Sequence, residues 1–249
     1  MFSNIIEFLA PQVYLEINDN ETYPSPTKIN LPEWYKKIIT LPSNRTVKSC
    51  VPFLDTLTSG YLLKMPVDLY IEHNTKTNNL NQNNASQYAE AFNAESYYKN
   101  NYININFQSQ FHAPHQLQES PLLEKNKSLA IHKIMNPWII KTPKNYSCLF
   151  VPPLNNADDR FSIIPGIVDT DTWNMQINFP ILINGDKYPT LETTIKKGTP
   201  YVQILPFKRE SWKMKISSQK RSDFIKNILK FHLNFSSYKN HFWNKKSWK

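Results

Sequence analysis

Two aspartates one residue apart, Asp169 and Asp171 in P-G-I-V-D-T-D-T-W, are the residues of this chain whose type and spacing best suit chemistry. A carboxylate at a turn between strands stays ionised at neutral pH and can take a proton from water, as a general base does. If the segment is extended, side chains two apart project to the same side, so the pair could share a Mg²⁺ ion. The same residues also read as a turn whose carboxylates bond nearby backbone. A weaker constellation is His112-x-x-His115 in F-H-A-P-H-Q. Two imidazoles at that spacing can chelate Zn²⁺ or Fe²⁺, with His73 or His132 as the third ligand. No H-x-D/E signature accompanies them, and the bland reading is a pair of exposed loop histidines beside Pro114. The chain has no nucleophile-elbow serine, Walker A loop, HExxH or CxxC.

The elements that must position these residues are mostly strands. Val67–Glu72 and Tyr102–Phe107 alternate with period two. Trp138–Lys141 and Tyr146–Val151 flank Thr142-Pro143-Lys144-Asn145, with Pro and Asn where a turn wants them. Ser162–Ile164, Gln176–Ile183 and Tyr201–Leu205 follow, each bounded by Pro, Gly or Asn. Short strands with regular turn signals predict a jelly roll or distorted β-barrel. Residues 1–49 read as an N-terminal arm, 50–221 as the β domain, and 74–101, crowded with Asn and Gln, as an excursion from it. Residues 222–249 read as a basic, aromatic C-terminal helix and tail, with Ser222 at the cap position.

Three segments in order, P-K-N-Y-S-C-L-F-V-P-P-L-N, G-I-V-D-T-D-T-W and I-K-K-G-T-P-Y-V-Q-I-L-P-F, resemble the core of the dUTPase and dCTP-deaminase superfamily. The resemblance spans Pro143–Arg209, about a quarter of the chain. It implies a trimeric, dUTPase-like fold with Asp169 as the water-activating aspartate, Asp171 beside it, and a nucleotide with Mg²⁺ as ligand. Gln203 takes the place of the family's glutamine. The family's tyrosine that packs on deoxyribose falls on Thr172, with Trp173 one place later. The family's phosphate-gripping R-S-G falls on Pro153, Leu154 and Asn155. Proline has no N–H and leucine no hydroxyl, so neither replaces that grip. The family's glycine-rich C-terminal arm is also missing. The spacing predicts that Asp169 and Asp171 lie on a strand-to-strand turn within reach of Pro152–Asn155. More broadly, C-V-P-F-L-D-T-L-T-S-G-Y and the later motifs to K-R-E-S-W resemble a group of tailed-phage and bacterial proteins. That resemblance implies a phage source and carries no function.

Composition bounds the rest. With 249 residues, 40% hydrophobic and 13% aromatic, the chain can bury a substantial core. Four glycines and eighteen prolines predict few tight hairpins and many fixed corners. Two distant cysteines predict a reducing compartment and no disulfide framework. The N-terminus lacks the basic region of a signal peptide, and no apolar run is long enough to span a membrane. From Phe207 onward, twelve Lys/Arg accompany two acids, a net of +10; the whole chain is +9, so the preceding body is about −1. This tail interleaves cations with rings, which suits nucleic acid, a neighbouring subunit, or a solvated amphipathic helix. Two expectations follow. One is a non-catalytic structural or interaction protein, oligomeric and located in host cytoplasm or virion, needing no cofactor. The other is a nucleotide-binding or nucleotide-hydrolysing enzyme. A metal-dependent jelly-roll enzyme stands further off.

Overall fold

The computed structural model describes residues 4–17, 20–41, 43, 45–74, 111–112, 114–117, 119–126, 131–233 and 236–249. The expected strand at Tyr102–Phe107 and nearly all of the 74–101 excursion lie outside these residues. The chain divides into two compact units. Met1–Ser25 joins Gly60–Lys208, and Pro26–Ser59 joins Arg209–Lys249.

The first unit is built from antiparallel sheets. One has the order β10-β8-β13-β3-β2: β10 is Gly166–Val168, β8 Tyr146–Val151, β13 Pro200–Lys208, β3 Tyr61–Lys64, and the short β2 starts at Ser25. A second has the order β5 (Phe111–His112), β6 (Ile131–Ile134), β11 (Phe179–Ile183), β9 (Phe161–Ile163). Two pairs complete it, β1 (Glu7–Leu9) with β7 (Ile139–Lys141) and β4 (Leu69–Asn74) with β12 (Thr190–Ile195). The sheets remain separate and do not close into a barrel, because β10, β9 and β5 end their sheets as edges among the described strands. Two short helices also belong here, α1 (Gln12–Ile17) and α4 (Pro121–Asn126).

The inner strands β8 and β13 are buried on both faces over part of their length. In β8, Ser147, Cys148 and Phe150 are buried, and in β13 Tyr201 to Ile204 are. These join Ile134, Trp138, Ile140, Ile163, Phe179, Ile181 and Ile195 in one apolar core. Rings meet edge-on within it, Tyr14 with Trp138 at 5.4 Å and Phe179 with Tyr201 at 5.8 Å between centroids. Such pairs add about 0.5–1.5 kcal/mol beyond area burial. Gly60 enters β3 at φ +73°, and a Cβ there would sit 2.0 Å from the Ile204 carbonyl oxygen. Only glycine lets β3 lie this close to β13.

The second unit is helical. It holds α2 (Glu33–Lys37), α3 (Val51–Thr58) and α5 (Arg221–Leu233). Tyr35 stacks on Phe53 at 6.2 Å, and Trp34 meets Phe53 edge-on. Asp55 on α3 accepts the Trp243 indole N–H at 3.1 Å and the Lys246 ammonium at 2.6 Å. The helix α5 starts at Arg221, so Ser222 lies inside the first turn instead of at the cap. Its described side chains are all exposed in the single chain. Among the described residues, no helix is long and apolar enough to cross a membrane.

Candidate functional site

The two aspartates sit directly after β10. Asp169 opens a turn in which its carbonyl accepts the N–H groups of Thr172 (3.1 Å) and Trp173 (2.9 Å). Its Oδ1 accepts the Ser147 hydroxyl at 2.6 Å. Asp171 Oδ2 accepts the backbone N–H of Asn145 at 2.8 Å. Asn145 stands at φ +70°, in the turn between β7 and β8, a conformation asparagine tolerates better than most residues. Between the aspartates, Thr170 is buried. Its hydroxyl lies 2.7 Å from that of Thr142 and bonds the Cys148 sulfur at 3.3 Å. Burial pushes the Cys148 thiol up to about 11, against a smaller downward pull from Thr170. The whole D-T-D segment thus fastens the turn after β10 to the turn before β8. Trp173 follows it, 44% exposed.

Gln203 belongs to another place. It is buried in the middle of β13, where its side-chain oxygen accepts the Leu154 N–H at 2.8 Å. Pro153 and Asn156 close a tight turn there, 3.1 Å from carbonyl to N–H, with Asn155 exposed at φ +55°. Register fixes the separation. Val168 pairs with Cys148 near the start of β8, whereas Gln203 pairs with Val151 at its end. From Ser147 to Pro152 is five residues, about 16 Å at strand rise. The convergence of Asp169 and Asp171 with Pro152–Asn155 that the spacing predicts therefore does not occur within one chain: strand β8 holds the two groups at opposite ends.

His112 lies in β5, and His115 is exposed in the 3-10 turn Pro114–Leu117. Among the described residues, no three His, Cys, Asp or Glu side chains gather as a metal-holding group.

Other charged groups stand out only in the structure. Nε and Nη2 of Arg160 grip Asp158, at 3.0 and 2.7 Å, while Nη1 donates to Thr193 at 2.8 Å. Asp68 accepts from the Lys196 ammonium and the Lys197 N–H, both at 2.8 Å, which holds its carboxyl below the usual range. The Lys187 ammonium and the Tyr188 side chain do the same for Asp159. Arg160 is two residues from its partner, so D-D-R carried a local signal. The Lys196–Asp68 pair spans 128 residues and carried none.

No family model matches the chain, and no curated protein matches it significantly.

Proposed function

We propose that this chain is a non-catalytic structural or interaction protein. In this reading its β unit has dUTPase-like jelly-roll character, its source is a phage, and it acts as an oligomer in the virion or host cytoplasm. The observation that carries the reading is how Asp169 and Asp171 are used. Each carboxylate fastens one turn to another, through the Ser147 hydroxyl and the Asn145 N–H. A general base must reach both a water and the group that water attacks. The residues that would complete a nucleotide site, Gln203 and Asn155, lie toward the other end of β8 within one chain. Pro153 and Leu154 bring no side-chain donor to a phosphate, and the Leu154 N–H is held by Gln203.

The test is a thermal-shift and turnover screen of the full chain against deoxynucleoside triphosphates with Mg²⁺. A ligand at a hundred times its Kd stabilises by about 2.7 kcal/mol. For a chain this size that raises the melting temperature by roughly 5–10 °C. No shift and no hydrolysis are expected. A shift of that size, or turnover lost in Asp169→Asn, would restore the nucleotide enzyme with Mg²⁺ as its cofactor.

A further inference from the structure

The segment between β13 and α5 is exposed and belongs to no helix or strand, and its residues alternate in character. Trp212, Met214 and Ile216 are 86%, 89% and 87% exposed, with Lys213 and Lys215 between them. Five residues with period-two alternation form one apolar face and one charged face when drawn out as a strand. Three large side chains so exposed are far from the ordinary scatter of single surface hydrophobics. Together they leave on the order of 500 Å² of mostly apolar surface in water, the scale of a functional patch.

The first unit offers a matching surface. β10 ends its sheet, so one side of its backbone lacks a strand among the described residues. Ile167 on that strand is 63% exposed, and the segment that follows exposes Trp173 and, at 63%, Met175. Open strand edges can pair with other chains; β10 is short and Pro165 precedes it, but Gly166–Val168 and the residues after it to Met175 carry no proline or lysine. Charge favours the same match. Arg209–Lys249 with Pro26–Ser59 holds sixteen Lys/Arg and four Asp/Glu, a net of +12. The β unit holds thirteen Lys/Arg and sixteen Asp/Glu, a net of −3, with Asp169 and Asp171 next to the open edge. Docking arm on arm would bring two strongly cationic units together, whereas docking arm on sheet brings opposite signs together.

We propose that residues Ser211–Ser217 of one copy of this chain add as a strand to the open edge of β10 in a second copy, placing Trp212, Met214 and Ile216 beside Ile167, Trp173 and Met175. Main-chain hydrogen bonds hold such an added strand and its alternate side chains select the partner. The contact is heterologous, so repetition closes a ring or extends a filament. The inference names the partner for the interaction protein proposed above and rests on that reading.

Light scattering coupled to size exclusion, at micromolar full-length protein and physiological ionic strength, tests it. The wild type should exceed the monomer mass of 29.3 kDa. The triple variant Trp212→Asp, Met214→Asp, Ile216→Asp should run as a monomer with an unchanged circular dichroism spectrum, and so should Ile167→Asp, while Ile167→Val should still assemble. Mixing the two monomeric variants should yield a 1:1 heterodimer, because one keeps its edge and the other its arm. A monomeric wild type, a variant that keeps the wild-type mass, or a mixture that does not pair overturns the proposal. So does a wild type that stays monomeric but retains a fluorescent single-stranded oligonucleotide through the arm in a salt-sensitive way, since the occupant is then nucleic acid. These readouts are separate from the nucleotide screen: a nucleotide-induced shift would defeat the non-catalytic reading while leaving assembly intact.

Discussion

Replacing Asp169 by alanine should destabilise the β unit, and the sign of that change separates a structural carboxylate from a catalytic one. The Ser147 hydroxyl reaches Asp169 Oδ1 at 2.6 Å, the length of a charge-assisted O–H···O⁻ bond. Ser147 is buried, so removing the acceptor strands a donor away from water. Hydrogen bonds to charged groups contribute about 1.5–3 kcal/mol, and a buried donor that loses its acceptor costs a similar amount. Asp169→Ala should therefore lose about 2 kcal/mol in urea unfolding followed by tryptophan fluorescence. Asp169→Asn keeps an oxygen at the same place and should lose roughly half as much. Both residues take part in other interactions, so the pair is isolated by a double-mutant cycle with Ser147→Ala. A coupling of at least about 1 kcal/mol is expected. Carboxylates kept for catalysis are commonly held at a cost to stability, and removing one then stabilises the fold. An Asp169→Ala chain as stable as the wild type or more so, with no coupling to Ser147, would refute the structural role.

Four further outcomes are expected. An unfolded thiol ionises near 8.5, whereas burial holds Cys148 up to about 11. Its stabilising effect is complete below about pH 8.5 and is lost as pH rises toward 11, so the urea midpoint should fall across that range and fall less in Cys148→Ala. In the same protein a thiol reagent should modify exposed Cys50 at once and buried Cys148 only on unfolding. Gln203→Leu removes the acceptor of the Leu154 N–H and should cost about 1–3 kcal/mol, read by chemical denaturation and by faster hydrogen exchange at the Leu154 amide. Gly60→Ala combines a positive φ with a Cβ 2.0 Å from the Ile204 oxygen, and should lower stability by roughly 3 kcal/mol or more in thermal melts.

What the sequence made legible is local. Pro143 and Asn145 marked the turn before β8, and Asn145 takes the left-handed conformation that such a turn needs. Tyr146–Val151 reads as a strand because the turn Thr142–Asn145 sets it off from Trp138–Lys141, and β8 has those bounds. β10 escaped because three residues, Gly166 to Val168, are too few to show a period, and β12 because Thr and Glu hide its alternation. The aspartates were legible as a turn and as a chemical pair at once. Which role they take depends on Ser147 and Asn145, respectively 22 and 26 residues away. The separation of Asp169 from Gln203 was not legible at all. It follows from which end of β8 each neighbouring strand meets, and pairing register is a property of the assembled sheet.

The basic tail divides in the same way between pattern and placement. Periodicity shows that α5 is amphipathic, with Phe224, Ile225, Ile228, Leu229 and Phe231 on one broad arc and Lys226 and Lys230 on the other. It does not show which arc meets the rest of the chain. Ser237 donates to the Lys230 carbonyl at 3.1 Å, and the Lys230 ammonium lies 5.5 Å from the centroid of the Phe242 ring. Lys230 on the charged arc thus contacts the segment that follows the helix. An arm built to hold nucleic acid would turn its cations outward and shelter its rings. Here the rings are not sheltered: the described side chains of the helix are exposed on both arcs, as Trp212, Met214 and Ile216 are exposed in the preceding segment. In the assembly proposed above, the net charge of +12 on this unit would act at a distance, drawing the arm toward an acidic face, while apolar side chains would make the contact itself.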